Sequence, residues 1–462
     1  MSRVVVIGGG ITGLAAAHRL REQLGAQHVT LIESSPRLGG KISTTHTDGF
    51  VLEGGPDCFL ASKPAAAQLC DALGLGAHII GTNPALRRSF VKRGGRLHPL
   101  PDGITGLVPS RILPLMTTGV LSIGGRARAA MEMFVPRLKG DEDESVASFV
   151  RRRFGNEAWQ WLVEPLLSGI YAGDGEQLSV RATFPQLRET ERRDGSVLKP
   201  MLTAKLAGNG NGAPRGFVSL SGGMQELVDA LTESLADVDI RLDSRVAGIT
   251  RIAGEYQINF EGGSSLAAST IIFATPAYVT AVLVAGIDTE MAAELRAIPF
   301  VSTATISVAF SRSDIARTLP GYGYVSPRAN GGDVVACTWT SNKFPSRVPT
   351  GAVLLRFFVG RAGAEANPST SDETLKAIVT KELRDVLGIT AAAKFTSIAR
   401  WPHALPQYVM GHTDRVARIF HYAAGHRGLF LAGASYRGVG IPDCISSAWS
   451  AADSAAQLQH AS

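Results

Sequence analysis

The run Gly8-Gly9-Gly10-Ile11-Thr12-Gly13 constrains this chain more than any other feature. It fits G-x-G-x-x-G and stands between an apolar β-branched run, Val4–Ile7, and a helical pattern reaching about Leu24. A second buried run, Val29–Ile32, completes a βαβ unit. In such a unit the first glycine permits a tight turn and the second lets backbone approach a pyrophosphate. The third packs helix on strand, and the phosphates sit at the positive end of the helix. Glu33 ends the second strand, 20 residues after Gly13. A carboxylate there accepts hydrogen bonds from ribose hydroxyls and repels a 2′-phosphate, which disfavours NADP.

The motif alone does not separate NAD from FAD. Two further sets of glycines do. Leu38-Gly39-Gly40-Lys41 follows the second strand, where the longer flavin dinucleotide needs a second close approach of backbone. Gly54-Gly55-Pro56-Asp57, with Cys58 next, follows an apolar strand. At the far end, Leu431-Ala432-Gly433-Ala434 and Gly438-Val439-Gly440-Ile441-Pro442-Asp443 lead into a helix. That helix N-terminus would face the electron-rich pyrimidine edge of a flavin. Each glycine cluster taken singly reads equally as an ordinary loop; together they make FAD the expected cofactor. Its contacts are expected at Gly8, Gly9, Gly10, Ile11, Thr12, Gly13, Glu33 and Ser34 in the first unit. Gly39, Gly40, Lys41, Gly55, Pro56, Asp57 and Cys58 follow, and Gly433, Val439, Gly440 and Ile441 close the set.

With 462 residues, 45% apolar and 19% charged, the chain reads as a soluble globular enzyme of two or three domains. A net charge of +6 favours anionic partners, but no dense basic stripe with interleaved aromatics points to nucleic acid. Cys58, Cys70, Cys337 and Cys444 are far apart, which argues against a disulfide framework, a zinc site or an iron–sulfur cluster. No metal site is expected. The first strand begins too early for a signal peptide, and no run of 18 apolar residues spans a bilayer, so a cytoplasmic protein is expected. Residues 112–125 are apolar but short, broken by Pro114 and Gly119 and flanked by Arg111 and Arg126. They read as a buried helix, with an interfacial membrane patch as the alternative.

Beyond the opening unit the texture changes. Residues 104–200 are rich in Pro, Arg and Leu and read mainly as helices, including a charged helix start at 141–145 and an amphipathic helix at 157–167. An exposed loop is expected at 207–214. From 217 the α/β texture returns, with a helix opened by Ser221-Gly222-Gly223 and strands at 240–250, 256–260 and 269–274. Several short strands fall within 300–360, a helix over 373–387 and a last apolar strand at 428–432. The expected class is α/β with α+β insertions: a Rossmann-like dinucleotide domain carrying a mixed-sheet substrate domain and a helical insertion. Residues 1–85, 215–275 and 425–462 form the FAD domain in this reading. Residues 86–214 form the helical, membrane-facing candidate, and 276–424 the substrate domain.

Taken together, these segments resemble the flavin amine oxidase superfamily. Three stretches resemble one branch, the oxygen-dependent porphyrinogen oxidases of haem synthesis. They are Glu164-Pro165-Leu166-Leu167-Ser168-Gly169-Ile170-Tyr171-Ala172-Gly173-Asp174 with Leu178-Ser179-Val180-Arg181-Ala182, then Ala404-Leu405-Pro406-Gln407-Tyr408 with Gly411-His412, and finally Gly440-Ile441-Pro442-Asp443-Cys444. The resemblance implies a six-electron oxidation of a porphyrinogen to a porphyrin. Hydride passes to flavin N5 and O2 re-oxidises the flavin three times, giving peroxide. No side chain need act as a catalytic dyad. His403, His412, His421 and His426 lack metal-ligand spacing and read as structural or surface residues.

Five basic residues lie within 87–96: Arg87, Arg88, Lys92, Arg93 and Arg96. Arginine pairs bidentately with propionates, and the bland reading of the cluster is a solvated face. By resemblance the carboxylate-binding arginine falls at Arg87 or Arg88, of which Arg88 is taken. Trp339 matches a ring that stacks on a pyrrole and Val325 an apolar residue opposite it, while Gly173 lines the ring pocket. Trp401 and Val246 match positions near the flavin and the adenine. Cys337-Thr338-Trp339-Thr340 with Lys343 resembles the bacterial coproporphyrinogen-oxidising members. Four propionates also suit the basic cluster better than two, so coproporphyrinogen III is the expected substrate and protoporphyrinogen IX the alternative. Other partners entertained are a membrane surface and a ferrochelatase receiving the product; oligomeric state is not legible.

Two rivals stand beside this reading. One is an amine oxidase or desaturase. Covalent monoamine oxidases carry Ser-Gly-Gly-Cys-Tyr near the C-terminal flavin motif, a segment this chain lacks, so non-covalent FAD is expected. The other is an FAD-dependent porphyrin carrier without turnover.

Overall fold

Val4–Ile7 and Val29–Ile32 are buried along their whole lengths, as strands of a parallel sheet covered on both faces must be. The computed structural model describes residues 3–101, 104–105, 108–109, 112–200, 216–252, 254–367 and 369–461. In it, five parallel strands lie in the order Asp239–Arg241, Val29–Ile32, Val4–Ile7, Thr270–Phe273, Leu429–Leu431. The sheet is therefore assembled from three distant stretches of chain. One face is covered by helices Ile11–Leu24 and Ile441–His460, which pack on each other with Ala15, Ala16, Ala448 and Ala452 in their shared core. Such small side chains let two helix backbones lie close. The other face carries an antiparallel sheet of Val246–Ile252, Glu255–Phe260 and Ser265–Ala268, with helices Ala277–Val284, Thr289–Arg296 and His412–Ala424.

The single strand expected over 240–250 is instead two. Asp239–Arg241 joins the parallel sheet and Val246–Ile252 the antiparallel one. Between them Asp243 takes a left-handed φ of 50°, a conformation aspartate tolerates at turns. The turn is tied down by Asp243 N–H to the Ser35 carbonyl and Ser244 N–H to the Glu33 carbonyl.

A second, mostly antiparallel sheet has seven strands: Phe395–Pro406, Phe300–Ser311, Ala352–Val359, Val334–Trp339, Gly323–Val325, Ser89–Arg93 and Arg96–Pro99. Two of these are 12 residues long, and one of them, Phe300–Ser311, falls within 300–360, where short strands are expected. Ser89–Arg93 pairs in parallel with Gly323–Val325, so 89–99 belongs to this sheet and not with the helices that follow it in the chain. Helix Asp372–Glu382 covers one face over Phe310, Leu355 and Phe357.

The helical part packs Val146–Phe154, Glu164–Tyr171 and Pro185–Asp194 around Phe149, Trp159, Leu167 and Leu187. The pattern at 157–167 is helical, but a π-turn over Trp159–Val163 interrupts it. Pro165 lacks an N–H and its ring would strike the carbonyl four residues back, so the helix widens there. Helix Val146–Phe154 starts at Ser145, whose side chain accepts from Ser148 N–H at 3.1 Å. The loop expected at 207–214 and the flanking Arg111 lie outside the described residues. Among the described residues no helix is long and apolar enough to cross a membrane.

Candidate active site

The glycines of the first motif stand where side chains would collide. A Cβ on Gly13 would lie 1.8 Å from the Gly8 carbonyl oxygen, and one on Gly9 would lie 2.6 Å from Leu38. Gly8 itself has φ of +107°. Gly10 is different: the nearest atom to its Cβ position is Gly40 Cα at 3.9 Å, so bare backbone is presented there. Gly39 N–H donates to the Gly9 carbonyl at 2.8 Å, joining the two glycine segments into one surface. Helix Ile11–Leu24 begins at Gly10 without a side-chain cap, leaving its first-turn N–H groups for a ligand.

Glu33 faces this surface. Its Oε2 accepts from Gly9 N–H at 2.7 Å and its Oε1 from Ser35 N–H at 2.8 Å, while Ser34 Oγ lies 3.2 Å from Oε1. Val246 opens the strand whose preceding turn is bonded to Glu33 and Ser35. At the C-terminal end Gly433 has φ of +118°, and its Cβ position is 3.5 Å from Thr12 Oγ1. Gly440 N–H donates to Asp443 Oδ2 at 3.2 Å, and Asp443 pairs with Lys63 at 2.7 Å. Val439 packs against the helical core and Ile441 into the core of the parallel sheet. Gly433, beside Thr12 in the first turn of one helix, also donates its N–H to Ser447 Oγ of the other at 2.9 Å. Both helices thus point their positive ends to the same place.

The Gly54–Gly55 segment forms a second wall. A Cβ on Gly55 would meet the Lys41 carbonyl at 1.7 Å. Trp401 Nε1 donates to the Gly54 carbonyl at 2.8 Å, Thr305 Oγ1 donates to the same oxygen at 2.7 Å, and Arg356 Nη2 reaches both Gly54 and Gly55 carbonyls. Lys41 is buried, its Nζ donating to the Ala404 carbonyl, and burial pulls its pKa down. Pro56 leads into Asp57, whose Oδ2 pairs with Lys343 Nζ at 2.8 Å. Burial works to raise the Asp57 carboxyl, yet Lys343 and Arg356 hold it below the usual carboxylate range. Cys58 Sγ lies 3.0 Å from Asp57 Oδ1 and 3.3 Å from Lys343 Nζ, and burial pushes this thiol up to about 12.

The substrate residues read from the sequence divide. Arg88 immediately precedes strand Ser89–Arg93, next to the strands of Val325 and Trp339: Tyr322 N–H donates to the Arg88 carbonyl at 2.8 Å, and Trp339 N–H to the Tyr322 carbonyl at 2.7 Å. Arg88 and Arg87 are exposed. Trp339 is only 1% exposed and packs in the core of its sheet, 5.7 Å from the Phe90 ring, so neither face is open to a ligand in this conformation. Lys343, expected to meet substrate, is already neutralised by Asp57. The basic cluster shrinks as well. Lys92 pairs with Glu382 at 2.8 Å, and Arg93 bonds the Val120 carbonyl while lying 4.6 Å over the Trp161 ring. Arg87, Arg88 and Arg96 are what remains for a ligand. Gly173 lies at the end of the neighbouring helix, where its carbonyl accepts from Arg328 Nη2 at 3.1 Å.

Of the histidines, His412 is 1% exposed, stacked on Tyr408 at 4.1 Å, with Nε2 3.1 Å from the Tyr436 carbonyl. His426 pairs with Asp288 at 2.9 Å. Neither faces the glycine surface through these contacts.

Residues 11–456 match the family model described as flavin containing amine oxidoreductase. The chain belongs to the flavin-containing amine oxidoreductases. Among curated relatives, a coproporphyrinogen III oxidase of Bacillus subtilis is 37% identical over 453 residues, covering 96% of this chain and 95% of the relative. Protoporphyrinogen oxidase 1 of Arabidopsis thaliana is 30% identical, covering 97% and 87%. A crystal structure of an Exiguobacterium protein superposes with a TM-score of 0.86 at 32% identity, covering 99% of each chain.

As a member of this family the chain is a flavoprotein, and the residues present fit FAD. Three glycine segments, two uncapped or backbone-capped helix ends and one carboxylate converge, with bare backbone at Gly10 where a diphosphate needs close approach. Sequence reasoning did not single out Arg356, Arg347 or Glu53. Arg347 is fully buried and pairs with Glu53 at 3.1 Å, and Glu53 also accepts from Met224 N–H at 2.8 Å. The signal for Arg356 was present: it is the one charge in the apolar strand Ala352–Val359.

Proposed function

We propose that this protein is an FAD-dependent oxidase that converts coproporphyrinogen III to coproporphyrin III with O2 as acceptor. The observation that carries the proposal is the end-to-end likeness to the Bacillus coproporphyrinogen III oxidase, at higher identity than to the plant protoporphyrinogen oxidase. Bound non-covalently, FAD supplies the hydride acceptor that no side chain provides. Non-covalent binding fits the geometry of Cys444, which is a free thiol buried in the first turn of its helix.

The chain's own work is to bind and orient. Gly10, Gly40 and the first turn of Ile11–Leu24 hold the diphosphate, Glu33 the ribose and Val246 the adenine side. Gly55, Trp401 and Gly440 flank the flavin ring. Arg88, with Arg87 and Arg96 beside it, takes substrate carboxylates, and Val325 and Gly173 bound the ring. Trp339 supports that wall from within the sheet. A three-part division goes with this reading: residues 1–85, 215–275 and 425–462 for FAD, joined by helices Ala277–Val284, Thr289–Arg296 and His412–Ala424 that pack on the same parallel sheet; the helical segment; and a substrate sheet that includes 89–99. Ile123 and Phe134, each 80% exposed, with Met131, support a peripheral membrane contact of the helical segment.

The test is a pair of steady-state assays under air, with porphyrin fluorescence and peroxide read together. Coproporphyrinogen III is expected to be the better substrate. A clear preference for protoporphyrinogen IX would move the assignment to the two-propionate ring, and peroxide released from amines alone would defeat it.

A further inference from the structure

Helix Glu164–Tyr171 ends in an unusual turn. Ala172, which has a Cβ, takes a left-handed φ of 48°. Such a conformation persists only where the surroundings hold it. Here three successive carbonyls are each taken by a different segment. Tyr171 O accepts from Gln407 Nε2 at 2.9 Å, Ala172 O from Ala362 N–H at 2.7 Å, and Gly173 O from Arg328 Nη2 at 3.1 Å. Gln407 follows strand Phe395–Pro406, Ala362 follows Ala352–Val359, and Arg328 follows Gly323–Val325. The turn is pinned to three strand ends of the seven-stranded sheet at once.

Arg328 does the most. The same Nη2 also donates to the Ala362 carbonyl at 2.9 Å. Arg328 N–H donates to Glu164 Oε2 at 3.0 Å, and its Nε lies 3.6 Å from Glu164 Oε1. Glu164 is nearly buried and is itself held by Ser168 Oγ at 2.8 Å. Arg328 therefore clamps both ends of one helix. The turn also borders the flavin side: the Tyr171 ring is 6.1 Å from that of Tyr408, whose hydroxyl accepts from Gly438 N–H at 2.8 Å and donates to the Ala434 carbonyl. Gly173 N–H has no acceptor among the described residues, so with its carbonyl withdrawn the turn keeps one free donor.

We infer that Arg328 is a positioning residue of the substrate site, fixing the Tyr171–Ala172–Gly173 turn between the substrate sheet and the flavin-side Gly438–Ile441 segment. It acts through the turn and not on the reacting atoms. The inference rests on the proposed porphyrinogen oxidation. A planar guanidinium with several fixed donors is what holds two carbonyls and a carboxylate together, and lysine replaces only part of that.

The test uses full-length, flavin-loaded Arg328→Met and Arg328→Lys beside wild type, assayed well below their melting temperatures. For Arg328→Met, kcat/KM for coproporphyrinogen III is expected to fall on the order of ten- to a hundred-fold, with KM raised. Flavin content and the visible spectrum should stay at wild-type values. Arg328→Lys should recover part of the loss. A purely structural role would lower the melting temperature and leave KM unchanged in the protein that remains folded; that result overturns the inference. Should Arg328→Met not fold, Arg328→Lys decides: KM raised at least about threefold supports the clamp, and wild-type kinetics refute it. A wild type inert toward both porphyrinogens would sink the proposed reaction and this inference together, whereas an active wild type with indifferent variants sinks this inference alone.

Discussion

The five-stranded parallel sheet and the seven-stranded sheet solve opposite problems. The first makes a surface of bare backbone, at Gly10, Gly40 and Gly433, and two helix ends supply its charge. The second is built from side chains that meet only after folding: Lys343 on Asp57, Arg356 on Gly54 and Gly55, and Arg328 on Gly173. A backbone site tolerates almost no added atom. A side-chain site tolerates change unless a buried charge is left without its partner. The expected effects of substitution follow that order.

The largest effect belongs to the backbone surface. Gly13→Ala puts a carbon 1.8 Å from the Gly8 carbonyl oxygen, and no side chain is there to move aside. The purified variant is expected to hold at least about ten-fold less flavin than wild type, read from its visible absorbance. Wild-type flavin content would break the contrast between the regions.

Next come buried charges. Arg153 and Glu132 are both fully buried, and Arg153 also reaches Glu191. Arg153→Met should cost about 3–5 kcal/mol in denaturant unfolding by leaving Glu132 uncompensated. Flavin content of the folded fraction should be unchanged, because this network lies in the helical part.

A third effect is set by pH. Burial drives His412 from its ordinary 6.5 down to about 4. The unfolded chain then binds a proton that the folded chain refuses, so stability is complete above pH 6.5 and is lost as pH falls toward 4. The loss is on the order of 3 kcal/mol. His412→Gln keeps a donor for the Tyr436 carbonyl and should flatten the acid limb of a stability–pH curve. An unchanged limb would show that His412 is not its source. The smallest effect is Ser145→Ala, which removes a helix cap and should cost about 1 kcal/mol in the same unfolding assay.

The same contrast explains what could be read from the sequence. Gly8 through Gly13, Glu33 and Gly433 through Ile441 were legible because short local spacing fixes a backbone shape. The family likeness extended that to the chemistry. Lys92 and Lys343 misled, since a cation reads the same whether it awaits a ligand or already has Glu382 or Asp57 beside it. Trp339 reads the same as core or as a stacking platform. The pairing of 89–99 with Gly323–Val325 spans most of the chain's middle and leaves no local mark. The π-turn at Trp159–Val163 did leave one, in Pro165.

The central claim is that glycine-lined backbone holds a flavin against a site for a reduced porphyrin ring. Anaerobic addition of coproporphyrinogen III to the purified, flavin-loaded protein tests it most directly. The account predicts that without air the yellow absorbance bleaches as the flavin takes the first two of six electrons, and that coproporphyrin fluorescence grows only once air is admitted to re-oxidise the flavin. A protein that stays yellow while binding the porphyrinogen would be a carrier, and the account would be wrong.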